Sequence, residues 1–160
     1  MVYLAQNRGD TGVDHPRGAR AGRPGTSRAS ILDVPPPVPT LVAEATKRAG
    51  VVWLSSPTAS PPVPPTLVWH VWHEGAAYVV CGGEEQALPP LGAAAVVTVR
   101  SASRSRLVDW PAAVERVAPA SALWDSVTPL LAAKRLNAAS ATGLPDRWAA
   151  SSTVLRLTPV

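Results

Sequence analysis

Two segments of this 160-residue chain carry side chains whose types and spacing suit chemistry. Arg100-Ser101, followed by Ser103, Arg104 and Arg106, places guanidinium and hydroxyl donors at a strand end and in the polar turn after it. Such a set suits one phosphate monoester, because a guanidinium fork meets two phosphate oxygens at once. The same residues also make an ordinary solvated turn. Gly82-Gly83-Glu84-Glu85-Gln86 follows a second strand. There the glycines let a ligand or another backbone come close, and the polar side chains can exchange hydrogen bonds with it.

Other constellations are poorer. His70 and His73 stand three apart on a strand, so they project from opposite faces and share no metal ion without a bulge; no metal site is expected. Cys81, the one cysteine, cannot form an internal disulfide and reads as packing at a strand end. Neither a Gly-x-Ser-x-Gly elbow nor a phosphate-cradling glycine loop occurs, which removes the usual support for hydrolase and nucleoside-triphosphatase readings. No catalytic residue is identifiable.

The elements that must hold these residues emerge from periodicity. Leu41, Val42, Ala45 and Ala49 recur at helical spacing over about 39 to 49, with Gly50 where a C-terminal cap belongs. Val51 to Ser55 reads as a strand, and Pro57, Pro61, Pro62, Pro64 and Pro65 then exclude regular structure. Thr66 to His73 and Ala76 to Cys81 flank Glu74-Gly75 as a hairpin. In its first strand Leu67, Trp69, Val71 and His73 face one way and Val68, His70 and Trp72 the other. Both faces are apolar, so one should fill a barrel while the other is covered by a helix, a ligand or a second subunit.

Ala93 to Ser101 and Leu107 to Ala118 are further strands, the latter with Pro111 demanding a bulge or an edge. Ser121 opens a helix with the stripe Leu123, Trp124, Val127, Leu130, Leu131 and Leu136; Pro129 should break or kink it, with Thr128 capping the part beyond the break. Thr153 to Thr158 is the last strand. Six strands with short hairpin connections and two or three helices predict a mainly β, α+β fold: a small antiparallel barrel with helices outside.

The formal charge is +4 with a pI near 10, but residues 1–37 and the remainder each carry a net +2. Without a concentrated basic face, no nucleic-acid partner is expected. From Asn7 to Ser30 the chain is rich in Gly, Arg, Pro, Ser and Asp with almost no large apolar side chain, so residues 1–37 are expected as a disordered basic tail and 38–160 as the domain. No apolar run is long enough for a membrane span, and the first thirty residues lack a signal-type apolar stretch; the cytoplasm is the expected compartment.

Taken in order, "VPTLVAEATKRAGVVWLSS", "PTLVWHVWHEGAAYVVCGGEEQALPPL", "AAVVTVRSASRSRLVDWPAAVERVAP", "WDSVTPLLAAKRLNA" and "DRWAASSTVLRLTPV" resemble the split-barrel flavoproteins of the pyridoxamine 5′-phosphate oxidase family, over about residues 36 to 160. The resemblance implies a six-stranded split barrel, a homodimer, and FMN or a deazaflavin in a groove between subunits. Carried over by position, it assigns the phosphate to Arg100, Ser101, Ser103 and Arg104, and the wall of the ring to Trp69, His70 or Trp72, with Gln86 near the same groove. A lysine expected soon after the Arg-Ser pair is replaced by Ala102 and Ser103, so phosphate affinity is either reduced or carried by Arg104. The residues that hold pyridoxal phosphate in true oxidases have no match, so pyridoxamine phosphate oxidation is not expected. The resemblance therefore implies an oxidoreductase acting on an unidentified small organic acceptor; the alternative is a non-catalytic module that binds or sequesters the cofactor, or binds none.

Overall fold

Glu74 and Gly75 both sit in the left-handed region, at φ 45° and 78°, which is the turn geometry that matches the twist of a two-residue hairpin. The barrel is built outward from that turn. The computed structural model describes residues 39–135 and 142–160. The expected tail, residues 1–37, and Leu136 of the helical stripe lie outside the described residues.

The elements are α1 (Thr40–Arg48), β1 (Val51–Ser55), β2 (Thr66–Trp69), β3 (Val71–His73), β4 (Ala76–Cys81), β5 (Ala94–Arg100), β6 (Arg106–Arg116), α2 (Ala122–Lys134), α3 (Leu144–Ser151) and β7 (Thr153–Pro159). The strands pair antiparallel, in the order β2-β1-β5-β6-β7-β4-β3, and one isolated parallel bridge joins Cys81 to Gln86. β2 and β3 are the two halves of the expected strand Thr66 to His73, interrupted only at His70. The first half pairs with β1 (Val51 opposite Trp69) and the second with β4 (Val71 opposite Tyr78). Counted as one strand they join the ends of the sheet, so seven segments make a nearly closed six-stranded barrel.

The alternation expected for this strand holds through the interruption. Val68 and Trp72 pack inside with Val52, Leu54, Val79, Val97 and Leu157, whereas Trp69 and Val71 pack outside against a second cluster from α2, α3 and β4. β4 has its first five residues buried because Ala77 and Val79 fill the barrel while Ala76, Tyr78 and Val80 lie under the helices. Part of the ribbon's outer face is therefore covered by this chain's own helices.

Several local expectations are corrected. α1 ends at an extended Ala49, and Gly50 adopts no left-handed cap. α2 runs unbroken through Pro129; Thr128 is no cap, its hydroxyl donating back to the Trp124 carbonyl at 2.8 Å, while Ser121 caps the start by accepting from Trp124 N–H at 3.1 Å. For Pro111 the edge alternative holds rather than the bulge: it lies where the β6–β7 ladder runs out, its carbonyl accepting from Val160 N–H at 3.1 Å, and the register shift in β5–β6 falls between Val99 and Arg100. Among the described residues no helix is long and apolar enough to cross a membrane.

Two buried polar contacts fasten the helices. On α1, fully buried Thr46 accepts from Trp110 Nε1–H through its hydroxyl (3.1 Å) and from His70 Nε2–H through its carbonyl (2.9 Å), which satisfies a carbonyl in the helix's last turn. The other ring nitrogen of His70, Nδ1, is buried with no partner among the described residues. Burial lowers the His70 pKa to about 4; the bond to Thr46 opposes that shift and the Lys134 charge adds to it. Between the sheet and the other helices, Glu85 accepts from Arg135 Nε–H after α2 and from Trp148 Nε1–H on α3, each at 2.8 Å, with its side chain 5% exposed.

Two outcomes are expected. A histidine whose folded pKa is depressed leaves the protein at full stability above the unfolded value near 6.5 and weakens it as pH falls toward 4, here by about 3 kcal/mol. Urea unfolding across that window should show His70→Gln losing less stability by about that amount; an identical pH dependence would contradict the buried neutral ring. Glu85→Ala strands Arg135 and the Trp148 indole N–H and should cost about 2–4 kcal/mol in the same assay, whereas a cost under about 0.5 kcal/mol would mean that this contact fastens nothing.

Candidate functional site

Among the described residues, one part of the barrel wall outside both core clusters is the outer face of β1 and β2 around Val51, Trp53 and Leu67. Alternation turns Val52, Leu54 and Val68 inward and leaves Val51, Trp53, Leu67 and Trp69 outward, in cross-strand pairs Val51–Trp69 and Trp53–Leu67. Val51 and Leu67 are 45% and 47% exposed. Neighbouring β5 ends at Arg100, whose guanidinium lies over the Trp53 ring, 5.0 Å from its centre.

The turn after β5 is held by its own backbone. Ser101 N–H donates to Ser105 O (2.8 Å) and Arg104 N–H to Ser101 O (2.9 Å), with Arg104 at φ 64°. The hydroxyls of Ser101 and Ser103 are 2.8 Å apart, and Ser103 donates on to Ser105 at 3.4 Å. A cavity of about 570 Å³ is lined by Val51, Trp53, Leu67, Arg100, Ser101 and Arg104. It has an apolar wall and a cationic, hydroxyl-bearing end. Arg106 turns away to Asp109 at 3.1 Å, while among the described residues no carboxylate pairs with Arg100 or Arg104.

A second cavity, of about 580 Å³, opens on the other side of Val51. Trp69 and Gln86 line it with the loop residues Glu84 and Glu85 and the end of α2. The Gln86 carboxamide is committed: Oε1 accepts from Trp69 N–H at 2.8 Å and Nε2–H donates to Trp69 O at 2.9 Å, the two bonds a neighbouring strand would make. The preceding glycines serve a backbone approach. Gly82 and Gly83 have φ 80° and 63°, and a Cβ on Gly83 would stand 2.9 Å from Ser151 O.

The structure thus brings Arg100, Ser101 and Arg104 together at one cavity and Trp69 and Gln86 at the next, the two meeting at Val51. It does not bring His70, Trp72 or Ser103 to either lining. His70 is fully buried beneath α1, and Trp72 packs with the barrel interior, edge-on to Trp110 at 6.1 Å between ring centres. Ser103 spends its hydroxyl within the turn. Of the tryptophans in the ribbon, Trp69 lines a cavity and Trp72 does not. Trp53, Val51 and Leu67 were missed as lining residues because nothing in an apolar strand says which neighbour it will lack. Arg135 was missed because its partner Glu85 is fifty positions away. Cys81 is half-buried, and burial pushes its thiol pKa up, away from a nucleophile's range. Among the described residues no group of three His, Cys, Asp or Glu side chains could hold a metal ion.

No protein-family model matches the sequence, and no curated protein matches it. Solved structures do resemble the backbone. HutZ, the heme storage protein from Vibrio cholerae, superposes with a TM-score of 0.54 at 12% identity, over 77% of this chain and 90% of that one. A candidate pyridoxamine 5′-phosphate oxidase from Listeria innocua gives 0.51 at 12% identity, over 74% and 90%. An F420 reductase gives 0.50 at 14% identity, over 79% and 96%. Such low identities bear on the path of the backbone, and with the partner-switching strand and the helices packed outside they show that this chain has the split-barrel fold of the pyridoxamine 5′-phosphate oxidase-like proteins.

Proposed function

We propose that the protein binds FMN or a deazaflavin on the outer face of β1 and β2, as a homodimer, and works as an oxidoreductase toward a small organic acceptor. The observation that carries this reading is the joining of two unlike surfaces in one cavity: the apolar Val51, Trp53 and Leu67 wall for a ring, and the Arg100, Ser101 and Arg104 end for a phosphate. Its volume, about 570 Å³, is in the range of small-molecule sites. The lysine expected in the turn is absent, and Arg104, which lines the cavity, is the cation that takes its place.

When bound, the flavin or deazaflavin supplies the hydride chemistry; the protein binds, orients and shields it. Arg100 has two tasks. Its guanidinium stacks on Trp53 and presents its fork to the phosphate, so ring wall and anion anchor keep a fixed spacing. Val51 and Leu67, half exposed in one chain, would be covered by the ring and by a second copy, which is the support for a dimer. A second reading is a binding module without turnover. The absence of His, Cys or Tyr from the described lining of either cavity favours it, as does the likeness to a heme storage protein.

Titration with FMN or a deazaflavin should develop bound-cofactor visible absorbance, and the protein should sediment as a dimer. A colourless monomer that binds neither would overturn the proposal. Arg100→Ala should weaken FMN binding by about 1.5–3 kcal/mol, as expected for a charge-assisted hydrogen bond, and leave unfolding unchanged. Unaltered affinity would place the phosphate elsewhere.

A further inference from the structure

The cavity against Trp69 holds a charge that its surroundings leave unanswered. Two basic residues stand at the end of α2. Arg135 is neutralised by Glu85 at 2.8 Å, and that carboxylate is used up by Arg135 and the Trp148 indole. Glu84, the other carboxylate at the rim, is exposed and lies 3.9 Å from Arg147. Lys134 is half-buried on the wall and has no carboxylate partner among the described residues.

A lysine in a helix's last turn is ordinary, since it meets the negative end of the dipole. Partial burial beside an indole is not required by that role, because the stem could equally carry the ammonium into water. Lys134 lines the cavity together with Trp69 and Gln86, so its half-buried side chain borders the same space as the indole. The other walls are Trp69, Val51 and Ala133, apolar and suited to a flat ring. At about 580 Å³ the cavity admits such a molecule easily.

We infer that this cavity takes a small aromatic or heteroaromatic carboxylic acid, its ring against Trp69 and its carboxylate on Lys134. The identification of this acid with the organic acceptor rests on the function proposed above, because the cavity adjoins the ring wall at Val51; the preference for an anion does not. In that arrangement Gln86 is a positioning residue: by clamping the Trp69 backbone it fixes the indole against which the ring packs.

The test uses benzoate and its neutral isostere benzamide as probes, with affinities read by ligand-observed NMR on the full chain. Benzoate should bind about two- to fivefold more tightly than benzamide, the range for one partly screened charge pair, and added salt should erase the difference. Lys134→Gln should lower benzoate affinity to that of benzamide, Lys134→Arg should retain the preference, and both variants should keep the parent's unfolding midpoint. Equal binding of the two probes, or unchanged benzoate affinity in Lys134→Gln, would overturn the inference. An FMN titration on the same samples separates the two readings. Benzoate selectivity without FMN binding would leave this site standing and sink the cofactor proposal, and FMN binding without benzoate selectivity would do the reverse.

Discussion

The strand from Thr66 to His73 has to serve two neighbours, and the site depends on how that conflict is met. Its first half belongs to β1 and its second to β4, so near His70 the chain must leave one ladder and enter another. Backbone groups at such a crossing lose their strand partners, and buried they would be costly. Side chains fill the gap. Gln86 completes the hydrogen bonding of Trp69, and the His70 side chain reaches to the end of α1, where it meets a carbonyl of the last turn. A polar histidine in the centre of a core is tolerable there because one of its nitrogens is bonded and the ring stays neutral.

The crossing also divides the outer surface of the barrel. Beyond His70, Val71 and Tyr78 lie against α2 and α3; before it, Leu67, Val51 and Trp53 belong to neither core cluster among the described residues. A surface of this composition on the outer face of a sheet is the kind of patch that ligands and subunits cover. Arg100 marks its border, joined to Trp53 by a cation–π contact, and the register shift just before Arg100 re-aims the strand end that carries it. Fold and candidate chemistry thus have one origin in the change of partner.

Much of this was legible in the residues because it is local. Strand alternation predicted the faces of Leu67 through His73, Glu74-Gly75 announced its hairpin, Ser121 its cap, and Arg100-Ser101 its place at a strand end. What could not be read was long-range. A Pro-rich loop separates β1 from β2 and hides their pairing, so Trp53 carried no sign of lying opposite Leu67 or under Arg100. Glu85 meets Trp148 across sixty-three positions, and no periodicity reports a buried ion pair formed from three separate segments. Thr128 and Pro129 misled for a different reason: taken alone both favour a break, but burial of Trp124, Val127 and Leu131 outweighs the one hydrogen bond that proline removes. The equal standing given to Trp69 and Trp72 reflects the same limit, since a period of two separates faces without saying which is inside.

If a ring-bearing ligand sits on the outer face of β1 and β2, the tryptophans of that face must sense it. The most direct measurement is the indole N–H region of an ¹⁵N spectrum during an FMN titration, because the six tryptophans divide between this face, the barrel interior and the helical cluster. The Trp53 and Trp69 resonances are predicted to move together with saturation while those of Trp72, Trp110, Trp124 and Trp148 stay in place. Movement of the interior or helix-side indoles with Trp53 and Trp69 unmoved would contradict that placement.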